Sequence, residues 1–238
     1  MTIQQLFFEL IQVAIGTRIC LSHTPSADEW GELYAMAKKQ SLVGICFAGV
    51  QKLGERGVET SETLETSWNL PELLYLTWMG MAAKIQQRNE VVNRQCVELQ
   101  AKLSVGSFRT YIMKGQGNAV LYNDLALLRQ SGDIDVYLEG GLDKVLAYAN
   151  TIAPTNGVNE LEMHVAVFPD TEVEFHYRPF IMRNPFKNRK LQRFFEEAMR
   201  FDNKVDLPNG IGAINVPTAE FNLVDRWYTS HIIFIRMV

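Results

Sequence analysis

Apolar residues recur at helical spacing over the first hundred positions, then switch to alternation. The opening stretch MTIQQLFFELIQVAIG groups its apolar residues as an amphipathic helix. It has no basic leader and carries Glu9 inside the apolar part, unlike a signal peptide. Ser26-Ala27-Asp28-Glu29 is a capping-box pattern, in which hydroxyl and carboxylate each take a free backbone N–H; it predicts a helix through WGELYAMAKK. Another helix is expected over Ser41–Leu53, stopped by Gly54 and Gly57. The polar stretch GERGVETSETLETSWN reads as a loop. Asn69 and Pro71 then open the longest helix, which runs to about Leu103 and ends at Gly106. Leu73, Leu76, Met79 and Ile85 keep roughly helical spacing, with Lys84, Arg88, Glu90 and Arg94 on other faces. Trp68, Trp78, Met79 and Met81 are expected in the core.

From residue 106 the period changes. Arg109 to Met113 (RTYIM) is short and β-rich, Lys114-Gly115-Gln116-Gly117 reads as a turn, and NAVLYNDLALL as a short helix. RQSGDIDVYLE follows, a Ser-Gly turn leading into a strand, and Gly140-Gly141 ends it before a helix over Leu142–Ile152. Glu160–Phe168 and Glu172–Tyr177 alternate with period two around Pro169-Asp170-Thr171, a hairpin signature. After residue 179 come the basic stretch RNPFKNRKLQR, a helix to about Arg200, two short segments around Val205-Asp206-Leu207 and Ile214-Asn215-Val216, and a last helix from near Pro217 or Thr218. Its end, SHIIFIRMV, is apolar and uncapped, which suggests a chain cut short or an end packed on something else. Three regions are expected: helical at 1–105, an α/β core at 106–180, and helical again at 181–238.

Strand alternation decides which residues can act together. Asp133, Asp135 and Tyr137 share a face opposite Ile134, Val136 and Leu138. On the hairpin, Glu160, Glu162 and His164 oppose Leu161, Met163, Val165 and Val167, while Glu172, Glu174 and His176 oppose Val173, Phe175 and Tyr177. Each strand thus offers an apolar face for helices to cover and a face of carboxylates and imidazoles. The fold class expected is α+β in two layers, a small mixed or antiparallel sheet with helices on one face. One plain explanation is a sheet with a wet side. Yet like charges at i and i+2 repel, and three converging carboxylates ask for a cation; oxygen donors without thiolate suit Mg²⁺ or Mn²⁺.

Composition narrows the classes. The 238 residues are 47% hydrophobic and 21% charged, with net charge −4. That is ordinary for a globular protein and does not indicate non-specific nucleic-acid binding, which needs a basic surface. Three scattered cysteines, Cys20, Cys46 and Cys96, in helical-looking stretches fit a reducing, cytoplasmic setting better than a disulfide framework. No apolar run approaches the length of a membrane span. His164 and His176 could pair across the hairpin as a transition-metal site. The run Arg183–Arg193 reads as a solvated helix face. Gly-x-Ser-x-Gly and Walker-type motifs do not occur.

The ordered segments KGQGNAVLY, LRQSGDIDVYL and VEFHYRP resemble the nucleotidyltransferase superfamily with the polymerase-beta-type palm, and more narrowly an uncharacterised bacterial family within it. The similarity covers about residues 106–180 and is weaker in the flanks. It implies that Asp133, Asp135 and Glu174 are the catalytic, metal-holding carboxylates. It also implies that Lys114, Gly115, Gly117, Arg129, Gly132 and His176 lie along the nucleotide phosphates. The implied reaction is transfer of a nucleoside monophosphate from NTP, ATP foremost, to an acceptor hydroxyl, with Mg²⁺ or Mn²⁺. Two departures stand out. The glycine turn is Gly115-Gln116-Gly117 where the superfamily has Gly-Gly or Gly-Ser, and Gly115 lies 18 positions before Asp133. Members of the narrower family also continue past this chain's last residue with further helices. The alternative implied by these departures is a nucleotide- or partner-binding module of the same fold without turnover.

Overall fold

The computed structural model describes residues 2–60, 69–201 and 203–236, apart from the side chains of 56–60 and 228–236. Of the loop expected over residues 54–69, positions 61–68, Trp68 among them, lie outside the described residues, and the apolar end is described only as helical backbone to Arg236. The chain divides into two compact units: residues 1–90 with 122–131, and residues 91–121 with 132–238.

The first unit is helical. Helix α1 (Ile3–Ala14) begins at a capping box made by Thr2 and Gln5, and α2 (Ala27–Lys39) at the box made by Ser26 and Glu29. Helix α3 spans Val43–Thr60 and continues through Gly54 and Gly57, which were expected to stop it. A glycine inside a helix costs only about 1 kcal/mol, which neighbouring turns absorb. Helix α4 runs Glu72–Val105, and the unit boundary falls within it. Leu6, Leu10, Trp30, Leu33, Val50 and Trp78 form the unit's core. Trp30 and Trp78 meet edge to face at 6.5 Å, and Trp78 Nε1 donates to Val43 O at 2.9 Å. Met79 does not join them; it is 41% exposed, as are Leu73 and Leu76 in larger part. The start of α4 is apolar on most faces, so spacing alone could not say which face the Trp78 side would bury. Cys20 lies in a bend after α1, not in a helix as expected.

The second unit is α+β. A five-stranded mixed sheet has the order β1 (Thr110–Ile112), β2 (Ile134–Leu138), β5 (Val173–His176), β4 (Glu162–Val165), β3 (Thr155–Asn156). The β2–β5 pair is parallel and the others antiparallel. The apolar face carries Ile134, Val136, Leu138, Met163, Val173 and Phe175. It packs against Val92, Cys96, Leu99 and Leu103 of α4, and against Val145 and Ala149 of α6 (Gly141–Ile152). On the opposite face, Tyr111 and Tyr137 pack with Leu191 and Phe195 of α7 (Pro185–Ala198) and Phe221 of α8 (Ala219–Arg236). Apart from Arg183, which precedes the helix, the basic run lies in the first turns of α7, and its charged residues are exposed. Strands β6 (Lys204–Asp206) and β7 (Ala213–Asn215) form a separate two-stranded sheet. Gln100 ties it to β1, donating to Thr110 O and Asn215 O and accepting from Asn215 N.

Lys114-Gly115-Gln116-Gly117 is not a turn. It is the start of a six-residue helix, α5 (Lys114–Ala119), followed by a 3-10 stretch over Val120–Leu128 that kinks at Asn123. The glycine content suggested a turn, but Gly117 is required by packing. A Cβ there would lie 2.2 Å from the Ile112 carbonyl oxygen. Among the described residues, no helix is long and apolar enough to cross a membrane.

Candidate active site

The parallel β2–β5 register sets Asp135 directly beside Glu174, and Tyr137 beside His176. The antiparallel β4–β5 register sets Glu162 opposite His176, and His164 opposite Glu174. Alternation turns all of these acids and imidazoles to one face. The loop entering β5 is fixed from α4, where Gln95 donates to Asp170 Oδ1 and accepts from Thr171 Oγ1.

Asp135 is the hub. It is 5% exposed. Its Oδ1 accepts from Lys114 Nζ at 2.8 Å, and His176 Nε2 lies 2.8 Å from the same oxygen. His176 Nε2 also stands 3.4 Å from Glu174 Oε2, and its Nδ1 is 3.2 Å from Glu162 Oε2. That last approach is close in distance but lacks hydrogen-bond direction. Burial opposes ionisation of Asp135, yet the His176 hydrogen bond and the Lys114 charge outweigh it and hold the carboxyl down at about 2. Burial likewise opposes a charged His176, but its hydrogen bonds to Asp135 and Glu174 raise it to about 8. Lys114 is raised too: the Asp135 carboxylate overcomes its desolvation. Lys114 has φ 45, a left-handed backbone that a side chain rarely adopts. Such strain persists where the surroundings over-determine it.

Asp133 stands at the entrance to β2, half-buried. Burial and then the Asp135 charge raise its carboxyl above the ordinary value. Among the described residues, Asp135, Glu174 and His176 offer ligand atoms within 4.8 Å of one another, and His164, Glu172 and Glu174 form a second such group; Asp133 belongs to neither. The pairing of His164 with His176 that the hairpin allowed does not form. The register separates them diagonally, with His164 Nδ1 2.9 Å from Glu172 Oε1.

The phosphate candidates are dispersed. Lys114 is at the hub, Gly115 is half-buried on α5, and Gly117 is closed off against Ile112. Gly132 is exposed with open space around it. Arg129 belongs to the helical unit, where Asn89 Nδ2 donates to its carbonyl at 2.6 Å and its Nη1 is enclosed without a hydrogen bond.

Two site residues were not singled out from the sequence. Glu162 was visible on the polar face. Asp225 was not: it is 3% exposed on α8, and burial raises its carboxyl while the Lys114 and His176 charges oppose that rise. Its signal was the four-residue spacing from Phe221, which shares the buried side of the helix.

Asp135, Glu174 and His176, on the paired central strands β2 and β5, form a largely buried group that could bind a metal. A family model described as an uncharacterised nucleotidyltransferase matches residues 26–223. The chain belongs to this nucleotidyltransferase family. No curated protein and no solved structure matches it. For a nucleotidyltransferase, an NTP is the implied substrate, and the α+β architecture agrees with the family fold.

Proposed function

We propose that this nucleotidyltransferase moves a nucleoside monophosphate from an NTP, ATP foremost, to an acceptor hydroxyl. The acceptor oxygen forms a bond to the α-phosphorus, the bridge to the β-phosphate breaks, and pyrophosphate leaves. One observation carries the reading. Asp135 and Glu174 are register partners on adjacent parallel strands, with His176 and Lys114 gathered on them.

The carboxylate oxygens of Asp133, Asp135 and Glu174 suit a hard divalent cation. Asp135 and Glu174 would hold Mg²⁺ or Mn²⁺, with Asp133 at the strand entrance as the further carboxylate and His176 hydrogen-bonded to Asp135 beside them. The bound cation supplies charge neutralisation on phosphate oxygens and acidifies the attacking hydroxyl. Lys114 keeps its positive charge and serves the polyphosphate as a point charge. Gly115 and Gly132 leave the backbone accessible to phosphate. Gly117 serves by letting α5 approach β1.

Calorimetric titration of each NTP, with and without Mg²⁺, tests this against Asp133→Asn/Asp135→Asn. Metal-dependent binding lost in the variant is the expected result. Absence of NTP binding to the folded wild type would sink the reading. The helix that replaces the glycine turn favours a second reading, a binding module without turnover. Metal-dependent NTP binding with no pyrophosphate released over a panel of hydroxyl acceptors would favour it.

A further inference from the structure

Glu174 has two oxygens, and they face different ways. Oε2 stands 3.4 Å from His176 Nε2, within the candidate active site, while Oε1 stands 3.7 Å from His164 Nδ1. His164 Nδ1 is also 2.9 Å from Glu172 Oε1. These three donor atoms lie within 4.8 Å of one another. The strands fix this grouping: Glu172 and Glu174 are i and i+2 on β5 and its lead-in, and His164 is the cross-strand partner of Glu174. The imidazole is also positioned from behind, because a Cβ at Gly157 would lie 2.6 Å from His164 Cδ2. Only glycine lets the ring sit there.

A second observation points to a ligand. His164 Nδ1 is shut off from solvent and has no hydrogen bond, although a carboxylate oxygen is at hydrogen-bonding distance. An enclosed imidazole nitrogen set beside two carboxylate oxygens without a directed hydrogen bond is placed as a ligand atom is, and a cation there would engage all three donor atoms. On its outer side the group borders an open cleft of about 380 Å³, lined by Asn156, Asp170 and Thr171 as well as by His164 and Glu172. That gives room for water to complete a coordination shell.

We propose that His164, Glu172 and Glu174 form a second divalent-metal site, joined to the candidate active site through the Glu174 carboxylate and selective for Zn²⁺. One imidazole and two carboxylates suit a borderline metal that accepts nitrogen and a small coordination number. Mg²⁺ prefers an all-oxygen octahedron and holds its waters. The site therefore fills with Zn²⁺ in the presence of excess Mg²⁺. The inference stands on its own geometry and does not require nucleotidyl transfer to be the reaction.

The test is metal binding to the full chain without nucleotide. Zn²⁺ is titrated calorimetrically in millimolar Mg²⁺, and Co²⁺ absorption reads the ligand field as a spectroscopic check. Wild type is compared with His164→Ala, Glu172→Gln and Asp135→Asn, each verified as folded by circular dichroism. Losing an outer-sphere partner alone weakens metal sites about 10–100-fold, so losing a ligand should weaken Zn²⁺ at least about 100-fold. The expected pattern is that loss in both His164→Ala and Glu172→Gln, with binding retained in Asp135→Asn. Glu172 is exposed, so its variant reports on the site even if His164→Ala fails to fold. No Zn²⁺ binding to wild type, equal binding in wild type and Glu172→Gln, or loss in Asp135→Asn alone would each overturn the proposal. None of those results would touch the NTP titration.

Discussion

The two units enclose different chemistry. In the helical unit the enclosed side chains are Leu6, Leu10, Trp30, Leu33, Val50, Trp78 and their like. Its enclosed polar residue among those described, Asn89, donates to the Leu127 and Arg129 carbonyls. The α+β unit also has an aliphatic core, yet it encloses Asp135, His176 and Asp225. Burying apolar surface is favourable by itself, whereas burying charge is repaid only through partners. The helical unit is thus held by shape and hydrophobicity. The α+β unit holds a strained electrostatic cluster whose acids and bases depend on one another. Groups shifted by burial together with specific charge partners concentrate at functional sites.

That contrast can be broken or sharpened by measurement. The largest effect belongs to the hub. Asp135→Asn removes the counter-charge of Lys114 and His176, and should lower pyrophosphate release at least about 10³-fold, roughly 4 kcal/mol of barrier. Activity within tenfold of wild type would show that the cluster is not the reacting centre.

Next comes shape. Trp78→Ala empties a fully enclosed site and leaves the Val43 carbonyl without its indole donor, so the urea midpoint should report a loss of about 3–5 kcal/mol. The loss should be the same at pH 6 and pH 8. A strong pH dependence would erase the contrast between the units.

The α+β unit should instead respond to pH, measured in metal-free buffer. His176 rises from 6.5 to about 8 on folding, so its contribution is whole below pH 6.5 and is lost as pH climbs from 6.5 to 8. The size is on the order of 2 kcal/mol. Asp135 falls from 3.8 to about 2, so its contribution is whole above pH 3.8 and fades as pH drops toward 2. Asp133 and Asp225, both raised, act in the opposite sense, favouring the fold below pH 3.8 and losing that contribution as they ionise. His176→Gln should flatten the unfolding midpoint between pH 6.5 and 8; an unchanged slope would assign it to other groups.

The smallest effect is local. Ser26→Ala removes one half of a capping box and should cost about 1 kcal/mol in the helical unit alone, read from its thermal midpoint. A loss several times larger would mean that Ser26 does more than cap.

Much of this was legible in the chain. The capping box at Ser26, the long helix ending before Gly106 and the alternation that puts Asp135, Glu174 and His176 on polar faces follow from neighbours in sequence. They were readable because caps and alternation are local, set by hydrogen bonds and side-chain directions within a few residues. Other features are long-range. Glycines suggested a turn at Lys114–Gly117, but close packing on Ile112 makes it a helix. Met79 looked like core until the Trp78 side of α4 took that place. Sequence alone determined which residues carry charge and which face each strand gives them. Only the tertiary structure decided that Asp135 meets Glu174 across a parallel pair, that Glu174 faces a histidine with each oxygen, and that Asp225 is buried with the cluster. Pairing register and helix docking join residues tens of positions apart, and their energies come from surfaces that do not meet until the chain has folded.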